Sequence, residues 1–365
     1  MQTVADGLEV VKSLEAPEAS DAKPALAPLL VLDRLEAFLD EQGIGAGPIA
    51  WQRVGDGQSN LTYRLRRGGR DVVLRRGPRP PHPPSAHDMV REAAIQQLLR
   101  AEGVAVPEVL AVCDDSSVLG VPFYLMNWLD GEVVTDRIPV AMSEPPSRAA
   151  ASRELVKTLA RLHAVDVEAG PIAGIGRPAG YLERQVRRFR QIWEQVATRD
   201  LTQVETIASW LDDHRPTSQT SSVVHGDYRM GNVMFRRSSP VGVLAVLDWE
   251  LATLGDPLAD LGYLTATYAD AESILTPLHL TTVTAQPGFL SSEELVGVYA
   301  EQSELDLSGL AWYQTLALWK AAIFCEAIYA RWLNAERPGD TTFGPSLDAG
   351  VPALLRAADE YRRSL

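Results

Sequence analysis

The chain has 365 residues, 46% of them hydrophobic and 22% charged, with a formal net charge of −14. A surface that acidic repels polyanions, which argues against nucleic acid or an anionic membrane as a partner. Cys113 and Cys325 are too few and too far apart for a disulfide framework or a zinc site and suit a reducing, cytoplasmic setting. No stretch reaches the roughly 18 apolar residues of a membrane span. The N-terminal MQTVADGLEVVKSLEAPEAS is acidic and lacks a basic segment followed by an apolar one, so it does not read as a secretory signal. The length allows one large or two moderate domains.

Residues 1–27, rich in Ala, Glu, Pro and Ser, read as a mobile tail. Leu32, Leu35, Phe38 and Leu39 then recur at helical spacing, and Gly43 stops that helix. From Ile49 the period falls to two, and 49–54, 61–65 and 71–76 read as antiparallel strands. The loop from Gly55 to Asn60, with Gly57 and Ser59 inside it, is either a plain turn or a cover for phosphates that offers backbone N–H donors. Strand alternation puts Arg75 on one face with Val73, and Arg76 on the other with Leu74. Two readings stay open: both arginines are solvated strand ends, or one grips nucleotide phosphates and pairs with an acid on the next helix.

A proline-rich loop over 77–86 leads into a helix over 87–102, with His82 and His87 read as exposed loop residues. Its expected apolar stripe is Val90, Ala94, Ile95, Leu98 and Leu99. Glu92 lies off that stripe and is expected to reach the Arg75 strand. Strands over 108–113 and 122–127 follow, and the run Met126-Asn127-Trp128-Leu129-Asp130-Gly131 marks a lobe boundary, with Trp128 as a packing residue. The expected division is a tail over 1–27, a nucleotide-binding lobe over 28–130, and a helical catalytic and substrate lobe over 131–365.

Beyond Gly131 the pattern is mainly helical. A helix over 148–165 ends near His163, read as packing or capping. A basic amphipathic helix over 180–197 carries Arg184, Arg187, Arg188 and Arg190, which form a solvated face or attract an anionic substrate. Another helix covers 202–214. Later helices over 291–302, 309–333 and 344–365 close the chain, and the middle one, with Trp312, Tyr313, Trp319, Phe324 and Tyr329, should be buried nearly all round. Asp256 before Pro257 reads as a helix cap, whereas Asp260 in the first turn suits the helix dipole and is expected to hold the catalytic loop as well.

The densest chemistry lies in VVHGDYRMGNVMFRRSSPVGVLAVLDWE, residues 223–250. A strand ends near His225, a polar loop runs to Asn232, and a second apolar strand delivers Asp248. Each acid or amide alone is an ordinary turn former. His225, Asp227, Asn232 and Asp248 together match the catalytic and metal-binding segments of kinases. That chemistry uses a carboxylate to orient a substrate hydroxyl and hard oxygen ligands for Mg²⁺. His225 reads as a structural hydrogen-bonding residue.

The segments GDGQSNLTY, VVLRRGP, HGDYRMGN and VLDWELATLGDPLADLGYL together resemble the aminoglycoside phosphotransferase, choline-kinase-like family over about residues 30–335. Within it the chain is similar to the branch fused to certain acyl-CoA dehydrogenases. The resemblance implies an α+β, protein-kinase-like bilobal fold, with a small antiparallel-sheet N-lobe and a mostly helical C-lobe. It implies ATP and Mg²⁺ as cofactors, Asp227 as catalytic base, and Asn232 and Asp248 as metal ligands, with His225 and Asp260 supporting the loop. Gly57, Ser59 and Asn60 would lie over the phosphates, Arg75 would stand where most kinases have lysine, and Glu92 would be its partner. Met126, Asn127 and Leu129 would hold adenine, and Arg184, Arg187 and Arg188 would suit an acidic substrate group. The implied reaction moves the γ-phosphoryl group to a hydroxyl of a small molecule, a hydroxyacyl-CoA or hydroxy acid ahead of an aminoglycoside. The rival is a nucleotide-binding pseudokinase scaffold, against which the intact Asp227, Asn232 and Asp248 set argues. Monomer and homodimer both stay open.

Overall fold

The computed structural model describes residues 9–13, 27–55, 60–80, 87–337 and 339–365. The chain divides into two units, Met1–Leu129 and Asp130–Leu365. Gly57, Ser59 and His82, and most of the segment read as a tail, lie outside the described residues. Within that segment Glu9–Ser13 is not a free tail, because β1 (Val10–Val11) pairs in parallel with β2 (Leu30–Val31). The Glu9 carboxylate accepts a hydrogen bond from the Tyr63 hydroxyl at 2.9 Å and pairs with Arg53 at 3.2 Å.

The first unit is built on a five-stranded antiparallel sheet in the order β3-β4-β5-β7-β6. Its strands are β3 (Ala50–Arg53), β4 (Leu61–Arg67), β5 (Arg70–Arg76), β6 (Val109–Cys113) and β7 (Phe123–Asn127). One face buries Leu61, Tyr63, Leu65, Val72 and Leu74 with α1 (Leu32–Glu41) and α3 (Ser116–Leu119). The other face carries Tyr124 and receives α2 (Met89–Ala101), where Met89 and Ala93 pack on it.

The buried side of α2 consists of Met89, Glu92, Ala93, Ile95, Gln96 and Leu99. Val90 is 40% exposed and Ala94 also faces water, so the stripe expected from apolar spacing is rotated. Glu92 and Gln96 lie on the buried face because each has a polar partner there. An apolar count misses such a face.

The second unit contains β8 (Gly131–Val133), α4 (Pro145–His163), α5 (Tyr181–Val196), α6 (Gln203–Asp213) and β9 (Ser222–Val224). It continues with β10 (Val233–Arg236), β11 (Val243–Val246), β12 (Thr253–Gly255) and α7 (Leu258–Thr267). The helices α8 (Ser292–Ala300), α9 (Leu310–Leu333) and α10 (Phe343–Arg363) complete it. Two small antiparallel sheets, β11-β10-β8 and β12-β9, are what position the loop between β9 and β10. α9 is the spine: Trp312 donates to the Leu211 carbonyl at 3.0 Å and Trp319 to the Val204 carbonyl at 2.9 Å. Phe324, expected to be buried, is 61% exposed.

Helix α7 lies so close to α9 that a Cβ at Gly262 would meet Tyr313 Cβ at 2.6 Å and the Tyr313 carbonyl carbon at 2.7 Å. Backbone cannot give way as a flexible side chain would. Gly262→Ala is therefore expected to lower stability by about 2–3 kcal/mol through overpacking, read as a drop in the denaturation midpoint. An unchanged midpoint would mean that the two helices part freely. No helix among the described residues is long and apolar enough to cross a membrane.

Candidate active site

The 225–232 loop is held from three sides. Its start is fixed by β9 pairing with β12, where Val224 faces Thr253, and its end by β10 pairing with β11, where Val233 faces Val246. Leu247 N–H donates to the Asn232 carbonyl at 2.8 Å, which lays the turn bearing Asp248 beside the loop bearing Asp227. His225, fully buried, bridges the two: its Nε2 bonds the Leu247 carbonyl at 2.9 Å and its Nδ1 accepts from Asp227 N–H at 3.2 Å. A carbonyl can only accept and an amide N–H only donate, so the ring proton sits on Nε2. His225 is thus the structural residue that the sequence suggests.

Asp260, also fully buried, clamps the loop from α7: its carboxylate accepts from His225 N–H at 2.6 Å and Gly226 N–H at 2.8 Å. Burial alone would raise its pKa. The hydrogen bond and charge of His163 and the Gly226 N–H reverse that and hold it below the usual carboxylate value. His163, expected only to pack or cap, lies with Nε2 3.5 Å from the Asp260 carboxylate and Nδ1 2.8 Å from the Tyr299 hydroxyl. Gly226 adopts φ +86°, and a Cβ there would meet Leu251 Cβ at 2.9 Å. Only glycine suits that bend. Asp256 does more than cap: its carboxylate accepts from Leu258 N–H at 3.0 Å and from the Tyr313 hydroxyl at 2.8 Å, tying α7 to α9.

Within this frame Asp227 is three-quarters buried, with 26% side-chain exposure, and its carboxylate has a defined set of neighbours. Asn232 Nδ2 donates to Asp227 Oδ2 at 2.8 Å and to the Asp227 carbonyl at 2.9 Å. Two acceptors require the amide NH₂, which leaves Asn232 Oδ1 as the atom with lone pairs to spend. Asp248 adopts φ +68°, a left-handed conformation that costs a non-glycine residue energy and is held by its surroundings. Beneath it the buried Trp249 donates to the Val246 carbonyl at 3.0 Å and lies 4.7 Å from the His225 ring. The Asn232 amide oxygen and the Asp248 carboxylate are hard-oxygen groups of the kind Mg²⁺ takes.

Two neighbours of Asp227 escaped sequence reasoning. The Tyr263 hydroxyl donates to Asp227 Oδ1 at 2.5 Å, and Arg229 Nε lies 3.4 Å from the same oxygen. A signal existed for the first. Tyr263 follows Asp260 by three positions, so both project from neighbouring positions on one side of α7.

In the first unit Arg75 Nε pairs with Glu92 Oε1 at 2.9 Å, with side chains 13% and 1% exposed. Register places Arg75 opposite Tyr124, whose hydroxyl donates to Glu92 at 3.2 Å and accepts from Gln96 Nε2 at 2.7 Å. Neither arginine is a solvated strand end. Arg76 is 1% exposed, donates to the Gly77, Leu29 and Leu119 carbonyls, and is pulled down to a pKa of about 10 by burial.

Asn60 is buried and its Oδ1 bonds His87 Nδ1 at 2.8 Å, so His87 is a loop-fixing residue rather than an exposed one. The Asn127 side chain accepts from Glu108 N–H at 2.7 Å and fastens the start of β6, while Met126 packs beside Tyr124. Leu129 is half-buried at the end of the unit. Trp128 is a packing residue, as expected, with the Arg64 guanidinium 3.9 Å above its ring.

Among the α5 arginines, Arg184 donates to the carbonyls of Ala179 and Arg177, Arg187 pairs with Glu183 at 3.4 Å, and Arg190 pairs with Asp212 and Glu205. Arg188 is exposed.

The profile of the phosphotransferase enzyme family (APH) matches residues 50–282, more than half of the chain and all of the Asp227, Asn232 and Asp248 region. The chain belongs to the phosphotransferase enzyme family. Mouse acyl-CoA dehydrogenase family member 10 is 34% identical over 316 residues, covering 85% of this chain and 29% of the relative. Chicken acyl-CoA dehydrogenase family member 11 is 35% identical over 294 residues, covering 79% of this chain and 37% of the relative. This phosphotransferase-family chain therefore spans about a third of the curated relatives it matches.

Its fold is that of a Ralstonia eutropha JMP134 protein whose own assignment as an aminoglycoside phosphotransferase is provisional. The two share 27% identity and a TM-score of 0.76 over 91% of this chain and 98% of that one. A thermostable variant of aminoglycoside phosphotransferase APH(4)-Ia, solved with AMP-PNP and hygromycin B, shares the fold at 18% identity and TM-score 0.57, over 88% of this chain and 98% of that one. The kinase-like, mixed α/β architecture expected from the sequence is thus established.

Proposed function

We propose that the protein is an ATP- and Mg²⁺-dependent phosphotransferase that moves the γ-phosphoryl group to a hydroxyl of a small molecule. The observation that carries this reading is the Asp227–Asn232 pair in a loop held by His225 and Asp260, with the turn that bears Asp248 laid beside it. A pseudokinase scaffold has no use for a carboxylate so tightly oriented.

Asp227 would orient the acceptor hydroxyl and receive its proton as the new O–P bond forms. Asn232, through Oδ1, and Asp248 would hold Mg²⁺, which supplies charge neutralisation for the phosphates when bound. Phosphoryl transfer needs positioning and electrostatic stabilisation more than covalent help, and a rigid loop suits it. In the first unit the Arg75–Glu92 pair fixes a guanidinium for phosphate contact. Arginine in place of lysine keeps the charge and adds a planar fork.

For the acceptor, the relatives' names supply the direction. The matched mouse and chicken proteins are acyl-CoA dehydrogenase family members, which favours a hydroxyacyl-CoA or hydroxy acid. The fold neighbour with hygromycin B keeps an aminoglycoside in the comparison. Of the arginines on α5, the exposed Arg188 would meet an anionic acceptor group, since among the described residues Arg184, Arg187 and Arg190 have protein partners.

The test is ADP release from ATP with Mg²⁺ across hydroxyacyl-CoAs, hydroxy acids and aminoglycosides. Acceptor-dependent ADP release that EDTA abolishes is the expected result. Nucleotide binding by thermal shift without transfer to any of these acceptors would favour the scaffold.

A further inference from the structure

The neighbours of Asp227 show a feature that an acceptor-orienting carboxylate does not need. Oδ2 takes the Asn232 amide at 2.8 Å, whereas Oδ1 takes the Tyr263 hydroxyl at 2.5 Å with Arg229 Nε at 3.4 Å. A carboxylate that is to receive the hydroxyl of an acceptor is already receiving a hydroxyl from the protein's own chain. We propose that the Tyr263 hydroxyl occupies the acceptor's place on Asp227 in the resting enzyme, keeping water off that carboxylate until an acceptor displaces the phenol. This rests on the phosphotransferase reading given above and adds to it a guard against wasteful ATP hydrolysis.

Three observations support a displaceable occupant over a fixed support. Asp227 gives the Tyr263 hydroxyl its one hydrogen bond among the described residues, so nothing else retains it. The residues that fix the loop, His225 and Asp260, are fully buried, whereas Tyr263 is only half-buried. The backbone beneath Tyr263 is immobilised by the Gly262 approach to Tyr313, so displacement needs a side-chain rotation and no movement of α7. Burial and the Asp227 charge push the phenol's pKa well above its ordinary value, which keeps it a donor and never a rival nucleophile at neutral pH.

The chemistry that the phenol delays is balanced in either direction. With an acceptor, its oxygen bonds to the γ-phosphorus, the bond from that phosphorus to the ADP oxygen breaks, and the hydroxyl proton passes to Asp227 and then to solvent. With water in the same place the products are ADP and inorganic phosphate. Removing the phenol hydroxyl opens the place to both.

Tyr263→Phe keeps the ring and its packing while deleting the donor. It is expected to raise acceptor-free ADP release about tenfold and to lower the KM for the best acceptor about tenfold, as loss of one charge-assisted competing hydrogen bond implies. A support role would move these quantities the other way, raising KM and lowering kcat. Unchanged or lower acceptor-free ADP release in Tyr263→Phe would overturn the proposal, as would a raised KM. Asp227→Asn separates this from the broader reading. If the wild type shows acceptor-dependent ADP release that Asp227→Asn abolishes, while Tyr263→Phe changes nothing, only the guard fails. If the wild type transfers to no acceptor, the broader reading fails, and acceptor-free ADP release by Tyr263→Phe still decides the guard.

Discussion

Asp227→Asn is expected to lower phosphoryl transfer by about 10³-fold, within the range that positioned acid–base groups supply, while leaving the fold intact. The substitution is nearly isosteric. Asn232 Nδ2 keeps its bond to the residue 227 carbonyl, at 2.9 Å in the wild type, and residue 227 N–H keeps His225 Nδ1. The variant's own amide oxygen can still accept from Tyr263 or from Asn232. What disappears is the negative charge and the ability to take a proton. ADP release with the best acceptor measures the loss, and a thermal midpoint within about 2 °C of wild type, less than 1 kcal/mol for a unit of this size, shows that folding is unaffected. Turnover near the wild-type rate would remove Asp227 from the mechanism.

Much of the site's chemistry is visible in the sequence because it depends on short-range order. The spacing from His225 to Asn232 and on to Asp248 is fixed by one loop and two short strands, and local strand patterns place their ends correctly. The partnership of Arg75 and Glu92 is also foreseeable, since a cation on a strand seeks an acid on the next helix. Its geometry is not. Glu92 lies on the buried face of α2 because Arg75 and Tyr124 meet it there at 2.9 and 3.2 Å. A periodicity that counts only apolar residues excludes it from that face.

The same blindness hides Tyr263 and His163, whose roles come from hydrogen bonds spanning 36 and 97 positions. Tertiary partners decide these residues. Phe324 fails for a related reason: an aromatic's burial depends on what covers it. Arg64 covers Trp128, which packs as expected, whereas Phe324 is left 61% exposed.

Asp260→Ala should be the most damaging change to the second unit, costing about 4 kcal/mol, the scale of removing one partner from a buried charged network. The carboxylate is fully buried and satisfies His225 N–H and Gly226 N–H while facing His163. Alanine leaves those donors dry and unpaired. The same donors hold the loop that carries Asp227, so transfer activity should fall with stability instead of surviving it. The pH dependence separates the charge from simple packing. Because the folded-state pKa of Asp260 lies below its usual value, the unfolded state binds the proton more readily, and the stabilisation is fully present above the unfolded value of about 3.9. It is lost as the pH falls through the depressed folded value. Denaturant unfolding of wild type and variant at pH 7 and in steps below pH 4 should therefore show a gap that narrows on acidification. A gap that stays constant across that range would mean that the ionised carboxylate is not what holds the loop, and that Asp260 acts through volume alone.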